Sequence, residues 1–595
     1  MSPPPSARRR AGTALAAGVL CVAAATMLAQ VPAARVILTD VTRAAGITAI
    51  HDNGAQGRKL LPETMGAGAA FVDYDGDGDQ DLVVVGGLLP GGGAPGGDRQ
   101  RTRRWSTLYR NDGSGRFADV TAMVGLEVEA PPPVGQVRPL REVDARKSAA
   151  DALQYGMGVA VADMDNDGWP DLAITSVGGV RLFRNEAGRR FVDVTSRAGF
   201  GDRRGFSTCA MWVDVDRDGL VDLLVCNYVQ WTPQTDLYCS ADGSRKTYCT
   251  PQAYRGSTSW LFRNLGNGRF ADITATAGLF DVTGKALGAT LLDHDQDGWP
   301  DLFIANDTVP NRLYRNNRDR TFTELGLQSG VAFSSDGRAR AGMGVDAADV
   351  DNSGRVSVAV TNFSGEMLGL FMPQDAGVYV DAAPQGAIGR ATRQTLGWGC
   401  FFFDVNLDGW QDLLVVNGLL DAALDRATGG ASPSHLFLNR AGRFEDVARA
   451  AGDAFAAPRL GRGAAFADID GDGDPDVVVT SNGGPVQLFR NDSTGSGAAV
   501  RLRLRGTLAN RDAVGARVTG LVNGQRIARG VRTGSSYLSQ SELVLTVGLG
   551  TAAALDQVVV EWPGRPPERL GRLPAGARYD ITEGQGVTGR TPFKR

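Results

Sequence analysis

The sequence predicts an all-β protein, with a seven-bladed β-propeller over residues 36–495 and a small β-rich domain over residues 496–583. Three observations predict it. One segment, Phe71-Val-Asp-Tyr-Asp-Gly-Asp-Gly-Asp-Gln-Asp-Leu-Val, has relatives beginning at Val161, Trp212, Leu291, Ala347, Phe402 and Phe466. Between the copies run two companion patterns, an aromatic strand such as Leu108-Tyr-Arg-Asn and a Phe-x-Asp-Val-Thr strand such as that at Phe117. Glycine, at 79 of 595 residues, is about twice as frequent as usual without a collagen period, which suits many tight turns between short strands.

Along the chain, Arg8, Arg9 and Arg10 precede an uncharged apolar run from Ala11 to Ala29, and Val31-Pro-Ala33 offers a small-residue cleavage site. Residues 1–33 therefore read as an export signal, with an uncleaved membrane anchor as the alternative. Leu38-Thr-Asp-Val-Thr42 is an orphan copy of the Phe-x-Asp-Val-Thr strand. It is expected to complete the last blade beside Leu488-Phe-Arg-Asn491, closing the ring. Insertions at 86–104 and 126–150 blur the first two blades. Residues 584–595 are expected to be a flexible tail.

Formal charge is −4 and names no partner, although basic residues exceed acidic ones from Val500 onward. Six cysteines are present, of which Cys21 belongs to the signal. Cys239 and Cys249 lie in a polar insertion and are expected to form a disulfide in an oxidising compartment. Cys209 and Cys226 either pair across adjacent strands or remain buried thiols, and Cys400 is expected to be a free buried thiol. With only three histidines, zinc and haem sites are not expected.

In the repeated segment, carboxylates fall at loop positions one, three, five and nine, with glycine at six. The first loop has Asp73, Asp75, Asp77 and Asp81, with Asp79 at seven; the second Asp163, Asp165, Asp167 and Asp171, with Trp169 at seven. The third has Asp214, Asp216, Asp218 and Asp222, with Leu220; the fourth Asp293, Asp295, Asp297 and Asp301, with Trp299. The sixth has Asp404, Asn406, Asp408 and Asp412, with Trp410; the seventh Asp468, Asp470, Asp472 and Asp476, with Asp474. Alternate positions on a curling loop turn oxygens to one centre, glycine permits the positive φ of the reversal, and position seven can add a carbonyl. Hard oxygen ligands on a flexible loop predict about six Ca²⁺ sites, since close carboxylates without a cation repel one another. The fifth loop keeps only Asp349 and Asp351, with Ser353 and Ser357 at five and nine, and is expected to be weak or empty.

These loops resemble the FG-GAP or VCBS repeats of integrin α-subunit heads and secreted bacterial propellers. Asn510-Arg-Asp-Ala-Val-Gly-Ala-Arg517, Gly534-Ser-Ser-Tyr-Leu-Ser-Gln540 and Val558-Val-Val-Glu-Trp-Pro563 resemble the ASPIC/UnbV domain of cartilage-acidic-protein-like proteins. The resemblance implies a secreted or periplasmic calcium-binding propeller of adhesion or interaction type, and it implies no catalytic residues.

Five repeats carry Gly-x-Gly ahead of the first aspartate, at Gly66, Gly156, Gly342, Gly397 and Gly461. Among the residues between these glycines, Met157, Met343, Trp398 and Arg462 form the candidate ligand face around the channel; the alternative is that Gly-x-Gly only allows close strand packing. The expected partner is an extracellular or periplasmic protein or glycan, with no nucleic acid and no membrane contact after signal cleavage. A carbohydrate-active enzyme of lyase or dehydratase type is the rival reading. It would need a base beside a metal with an open position, and no such group stands out.

Overall fold

The computed structural model describes residues 34–88, 103–127, 155–420 and 431–594, except 56 and 241. The export signal lies outside the described residues, as does most of each insertion in the first two blades. Among the described residues no helix is long and apolar enough to cross a membrane.

Each aspartate segment folds as two antiparallel strands joined by the acidic loop. In blade three the inner strand is Ser207–Val213 and the second is Asp222–Asn227. The aromatic pattern is the third strand, Trp260–Asn264, and Phe-x-Asp is the outer one, Phe270–Asp272. Seven such sheets form, built on inner strands beginning at Ala69, Gly156, Ser207, Ala286, Val345, Gly397 and Gly461. Each inner strand meets the next, and the strand at Gly461 returns to that at Ala69, so the ring closes. Closure follows the expected route: Leu38–Asp40 pairs antiparallel with Gln487–Asn491, Leu38 opposite Asn491 and Asp40 opposite Phe489.

The apolar residues flanking the loops fill the cores between adjacent blades. Phe401, Leu414, Ala464 and Val479 join blades six and seven; Phe71, Val84, Ala465 and Val478 join seven and one. Around the acidic end a side-chain stitch repeats. The asparagine ending the third strand donates from Nδ2 to the backbone oxygen of loop position two in the preceding blade. It does so in six blades, from Asn185 to Tyr74 (2.9 Å), Asn264 to Met164 (2.8 Å), Asn316 to Val215 (2.8 Å), Asn439 to Val350 (2.7 Å), Asn491 to Val405 (2.9 Å) and Asn111 to Ile469 (2.7 Å). The last closes the circle. Each is a buried bond whose loss would strand two polar groups away from water.

The C-terminal domain is two four-stranded sheets sharing one core that includes Val500, Leu502, Val518, Val558, Trp562 and Tyr579. It extends further than the sequence reading allowed. Residues 584–594 are no flexible tail: Gly586–Pro592 is a strand paired with Ala577–Thr582, and the Lys594 N–H donates to the oxygen of Gly471 (2.7 Å). The open edge of Ala577–Thr582 takes up this strand, whose glycine-rich composition gives no strand pattern.

This domain sends residues 532–542 into the ring, where they meet every blade. Gln540 exchanges bonds with Ala69 and Val161; the Val159 N–H donates to Leu538 (3.2 Å), and the Thr533 hydroxyl to Trp212 (2.6 Å). The Thr290 hydroxyl donates to the oxygen of Gly534 (2.8 Å), and the Val345 N–H to Ser536 (3.0 Å). Tyr537 packs edge-on against Trp398, 4.9 Å between centroids, and the Glu542 N–H donates to Phe466 (3.1 Å). One ion pair distinguishes blade five. Arg532 donates from Nε and Nη2 to the two oxygens of the buried Asp346, both at 2.7 Å, while other blades carry uncharged residues there, such as Ala70, Ala160 and Thr290. Replacing Asp346 by Ala leaves Arg532 without its partner inside the ring and is expected to cost about 3 kcal/mol. Chemical denaturation of the Asp346→Ala variant, with Asp202→Ala as an exposed control, checks this; equal midpoints would remove the pair from any structural role.

Candidate metal centres and the filled channel

All seven acidic loops share one backbone. The N–H of glycine six donates to the position-one carboxylate, from Gly78 to Asp73 (3.1 Å) through Gly473 to Asp468 (3.1 Å). These glycines have φ from 82° to 99°, as the sequence required. Position four is also left-handed, which the sequence reading missed: Asn166, Arg217, Gln296, Asn352 and Leu407 lie at φ 53–58°. In loops two to six the N–H of position five donates to the position-one carboxylate too, as in Asp167 to Asp163 (3.0 Å). Position nine begins the second strand. Its carboxylate accepts the N–H of position two and that of the third-strand asparagine, as Asp222 does from Val215 (3.0 Å) and Asn264 (2.7 Å).

The arrangement gathers carboxylates. Within 4.8 Å of one another lie oxygens of Asp73, Asp75 and Asp81; of Asp163, Asp165 and Asp171; of Asp214, Asp216 and Asp218; and of Asp293, Asp295 and Asp297. Six carboxylate oxygens in these loops are buried with no hydrogen-bond partner: Oδ1 of Asp73, Asp75, Asp165, Asp216, Asp470 and Asp474. Such oxygens suit a hard dication, as does a donor set made wholly of oxygens. Without one, burial drives the carboxyls toward protonation: Asp81 and Asp301 are pushed up to about 8, Asp163 and Asp214 to about 7. Burial likewise raises Asp171, Asp222, Asp412 and Asp476 well above the ordinary carboxylate range.

The arginine of the aromatic strand belongs to the site, although its repetition alone did not assign it there. Arg110 reaches Asp75 (2.7 Å) and Asp77 (3.2 Å), Arg184 reaches Asp165 (2.6 Å) and Asp167 (2.9 Å), and Arg263 reaches Asp216 (2.7 Å) and Asp218 (2.8 Å). Blade six, with Asn406 at position three, has Leu438 in place of this arginine. Blade five replaces arginine and asparagine by Met372 and Pro373. Proline has no N–H for a position-nine carboxylate to accept, and Ser357 stands there. Asp349 and Asp351 remain, near arginines of the C-terminal domain: Arg517 donates to the oxygen of Gly354 (2.7 Å), and Arg529 lowers the Asp349 carboxyl against the burial that raises it to about 6.

His294, at position two of loop four, is half-buried: a side chain on Gly377 would meet its ring at 3.2 Å, and neither ring nitrogen has a hydrogen-bond partner. One reading needs correction. Met157, Met343, Trp398 and Arg462 do border the channel, but they offer no ligand face because residues 532–542 bury them. Arg462 is 0% exposed, donates to the oxygens of Thr64 (2.9 and 2.8 Å) and Gly461 (2.8 Å), and lies 4.1 Å from the Trp398 ring centroid. The glycines of Gly-x-Gly serve close approach, since a Cβ on Gly68 would fall 1.7 Å from the Leu538 oxygen and one on Gly463 2.4 Å from the Ser539 hydroxyl. Cys239 and Cys249 are disulfide-bonded; Cys209, Cys226 and Cys400 are buried free thiols.

A closed seven-sheet ring with an acidic loop at one end of every blade defines a β-propeller. The comparisons give it a family. The FG-GAP-like repeat model matches residues 150–225, 293–360, 404–479 and 468–518, and the ASPIC and UnbV model matches residues 506–588. The chain is an FG-GAP-repeat protein with a C-terminal ASPIC/UnbV domain. It is similar to cartilage acidic protein 1 of Xenopus tropicalis, 25% identical over 478 residues, covering 69% of this chain and 70% of that protein. The Mus musculus protein of that name is 24% identical over 536 residues, covering 84% and 71%. Integrin alpha-3 of Cricetulus griseus is 28% identical over 169 residues, covering 26% of this chain and 14% of its own length.

A pH test follows from the raised carboxyls. In chelator, a folded-state pKa of about 7–8 against an unfolded value near 4 means the folded chain binds more protons between. Stability is then greatest below about pH 4 as far as these groups go, and falls as pH rises toward 8. Melting in chelator should therefore occur at lower temperature at pH 8 than at pH 5.5. With calcium in excess, which binds the ionised form and removes the extra protons from the folded chain, the difference between the two pH values should shrink toward zero; an equal drop in both media would contradict it.

Proposed function

We propose that this protein is an exported, calcium-binding β-propeller whose calcium is structural and whose task is to bind an extracellular or periplasmic protein or glycan. The observation that carries the calcium reading is the set of buried carboxylate oxygens without partners, in loops whose carboxylates lie within ligating distance of one another. Export is supported by the basic-then-apolar residues 1–33 and by the Cys239–Cys249 disulfide, which needs an oxidising compartment to persist. Interaction rather than catalysis is supported by the FG-GAP repeats and by where the histidines go. His51 Nδ1 accepts the Gly483 N–H (3.1 Å), and His435 Nδ1 lies 2.7 Å from Asp446 across two strands.

The C-terminal domain covers the acidic end, so a partner would meet the rim or the opposite end. There the insertion between the second and third strands of blade three, held by the disulfide, exposes Leu237 (42%) and Tyr238 (64%). Sites with dissociation constants of about 0.1–1 mM would each add roughly 0.4–1.4 kcal/mol at millimolar calcium. Elemental analysis of the purified chain should find about six calcium ions, and Asp349→Ala should leave that number unchanged. Two ions or none would defeat the reading. Glycan arrays and pull-downs with and without chelator, using a Leu237→Ser/Tyr238→Ser variant, test recognition; turnover of a sugar polymer abolished by a change outside the acidic loops would replace binder by enzyme.

A further inference from the structure

A cavity of about 620 Å³ lies between acidic loops three to five and the C-terminal domain, within the range of sites for small organic ligands. Its apolar wall includes Leu291, Leu292, Trp299, Val514 and Trp562. Arg217, Arg517, Arg529, Arg532 and Arg565 also line it. Three of these face carboxylates: Arg532 with Asp346 at 2.7 Å, Arg517 with Glu561 at 3.9 Å and Arg565 with Glu583 at 3.7 Å.

Arg217 and Arg529 are different. Neither appears in an ion pair within 4.0 Å among the described residues, and each keeps a buried Nε without a partner. Arg217 lies over the Trp299 ring at 4.3 Å, which holds its guanidinium at the cavity wall. Arg529, 7% exposed, is already compensated: its Nη atoms reach the oxygens of Ala528 (2.8 Å), Gly409 (2.9 Å) and Asn352 (3.5 Å), and Asp404, Asp349 and Asp408 favour its charge. Arg217 is half-buried, and the carboxylates that favour its charge are Asp297, Asp293 and Asp214, which a loop-bound cation would occupy. A guanidinium without an ion-pair partner, beside indole and leucine surface, calls for an anion with a ring or apolar body.

We propose that this cavity binds a small organic anion, a carboxylate on a sugar-sized ring, with Arg217 receiving the carboxylate and the Leu291, Leu292 and Trp562 side receiving the ring. The choice of a sugar acid rests on the binding-module reading. A free acid and the acidic unit of a polysaccharide share this chemistry, so both belong in the test.

Full-length protein in millimolar calcium is titrated with D-glucuronate, D-glucose, inorganic phosphate and an oligoglucuronate, followed by calorimetry and tryptophan fluorescence. Glucuronate should bind and glucose should not. Arg217→Asn and Arg217→Gln, which place at position four the residues loops two and four hold there at the same left-handed φ, should weaken binding at least about tenfold with melting temperature preserved. Tighter binding of the oligomer would make a polysaccharide unit the source, and equal or absent oligomer binding a free acid. Glucose binding as well as glucuronate, phosphate binding alone, no binding, or unchanged affinity in both folded variants would each overturn the proposal. Calcium content and partner capture, measured separately, then still decide the broader reading.

Discussion

Six of the seven blades fold around a buried carboxylate at loop position nine, and the acidic end is organised to make that burial tolerable. An isolated carboxylate away from water is costly unless hydrogen-bonded and balanced by positive charge. Asp222 shows the solution: two backbone N–H groups from its own blade fix its oxygens, while Asp216 and Asp218 beside it are reached by Arg263. Each arginine offsets only part of the charge in its loop, and partnerless oxygens remain. The residual charge is what a divalent ion would neutralise. Blade five shows the same logic by its losses, since carboxylates at five and nine, arginine and asparagine have all gone from one blade together.

A ring of near-equivalent blades poses a second problem, which is how a single asymmetric domain settles on it in one orientation. Residues 532–542 satisfy each blade with a different group, so most of their contacts are not interchangeable. Backbone bonds to blades one, two and five set depth, whereas the Asp346–Arg532 pair sets rotation, because a turned domain would place Arg532 against an alanine or threonine. The inner strands accept this segment only because glycine recurs where a Cβ would collide, as at Gly68 and Gly463.

The blades, their order and the closing strand were legible because each element repeats, and repetition turns weak local patterns into strong ones. The acidic loops were legible for a chemical reason, the spacing of oxygen donors around a glycine. What stayed hidden depends on contacts between distant segments. Trp398 and Arg462 look like a binding surface in isolation, and only residues 64 and 537, far away in sequence, show them to be interior. Gly534-Ser-Ser-Tyr-Leu-Ser reads as a polar loop, because the partners of its backbone and of the Ser539 hydroxyl are distant segments that no local period reveals. The strand at Gly586 was missed because pairing supplied by a free edge outweighs low strand propensity.

The two halves of the chain are also joined through charge, which ties the proposed cation to the filled channel. Arg501 of the C-terminal domain, 4% exposed, pairs with Asp468 of loop seven at 2.8 Å and with Glu542 at the end of the channel segment. Asp468 is therefore shared between a candidate metal loop and the domain that plugs the ring. A cation at loop seven would share Asp468 with Arg501 and so alter the electrostatic balance at Glu542. Buried networks of this kind strengthen or weaken as units, because removing one charge leaves its neighbours uncompensated in a low dielectric. Propeller closure and seating of the C-terminal domain are accordingly one cooperative problem, and a cation bound at loop seven would take part in it.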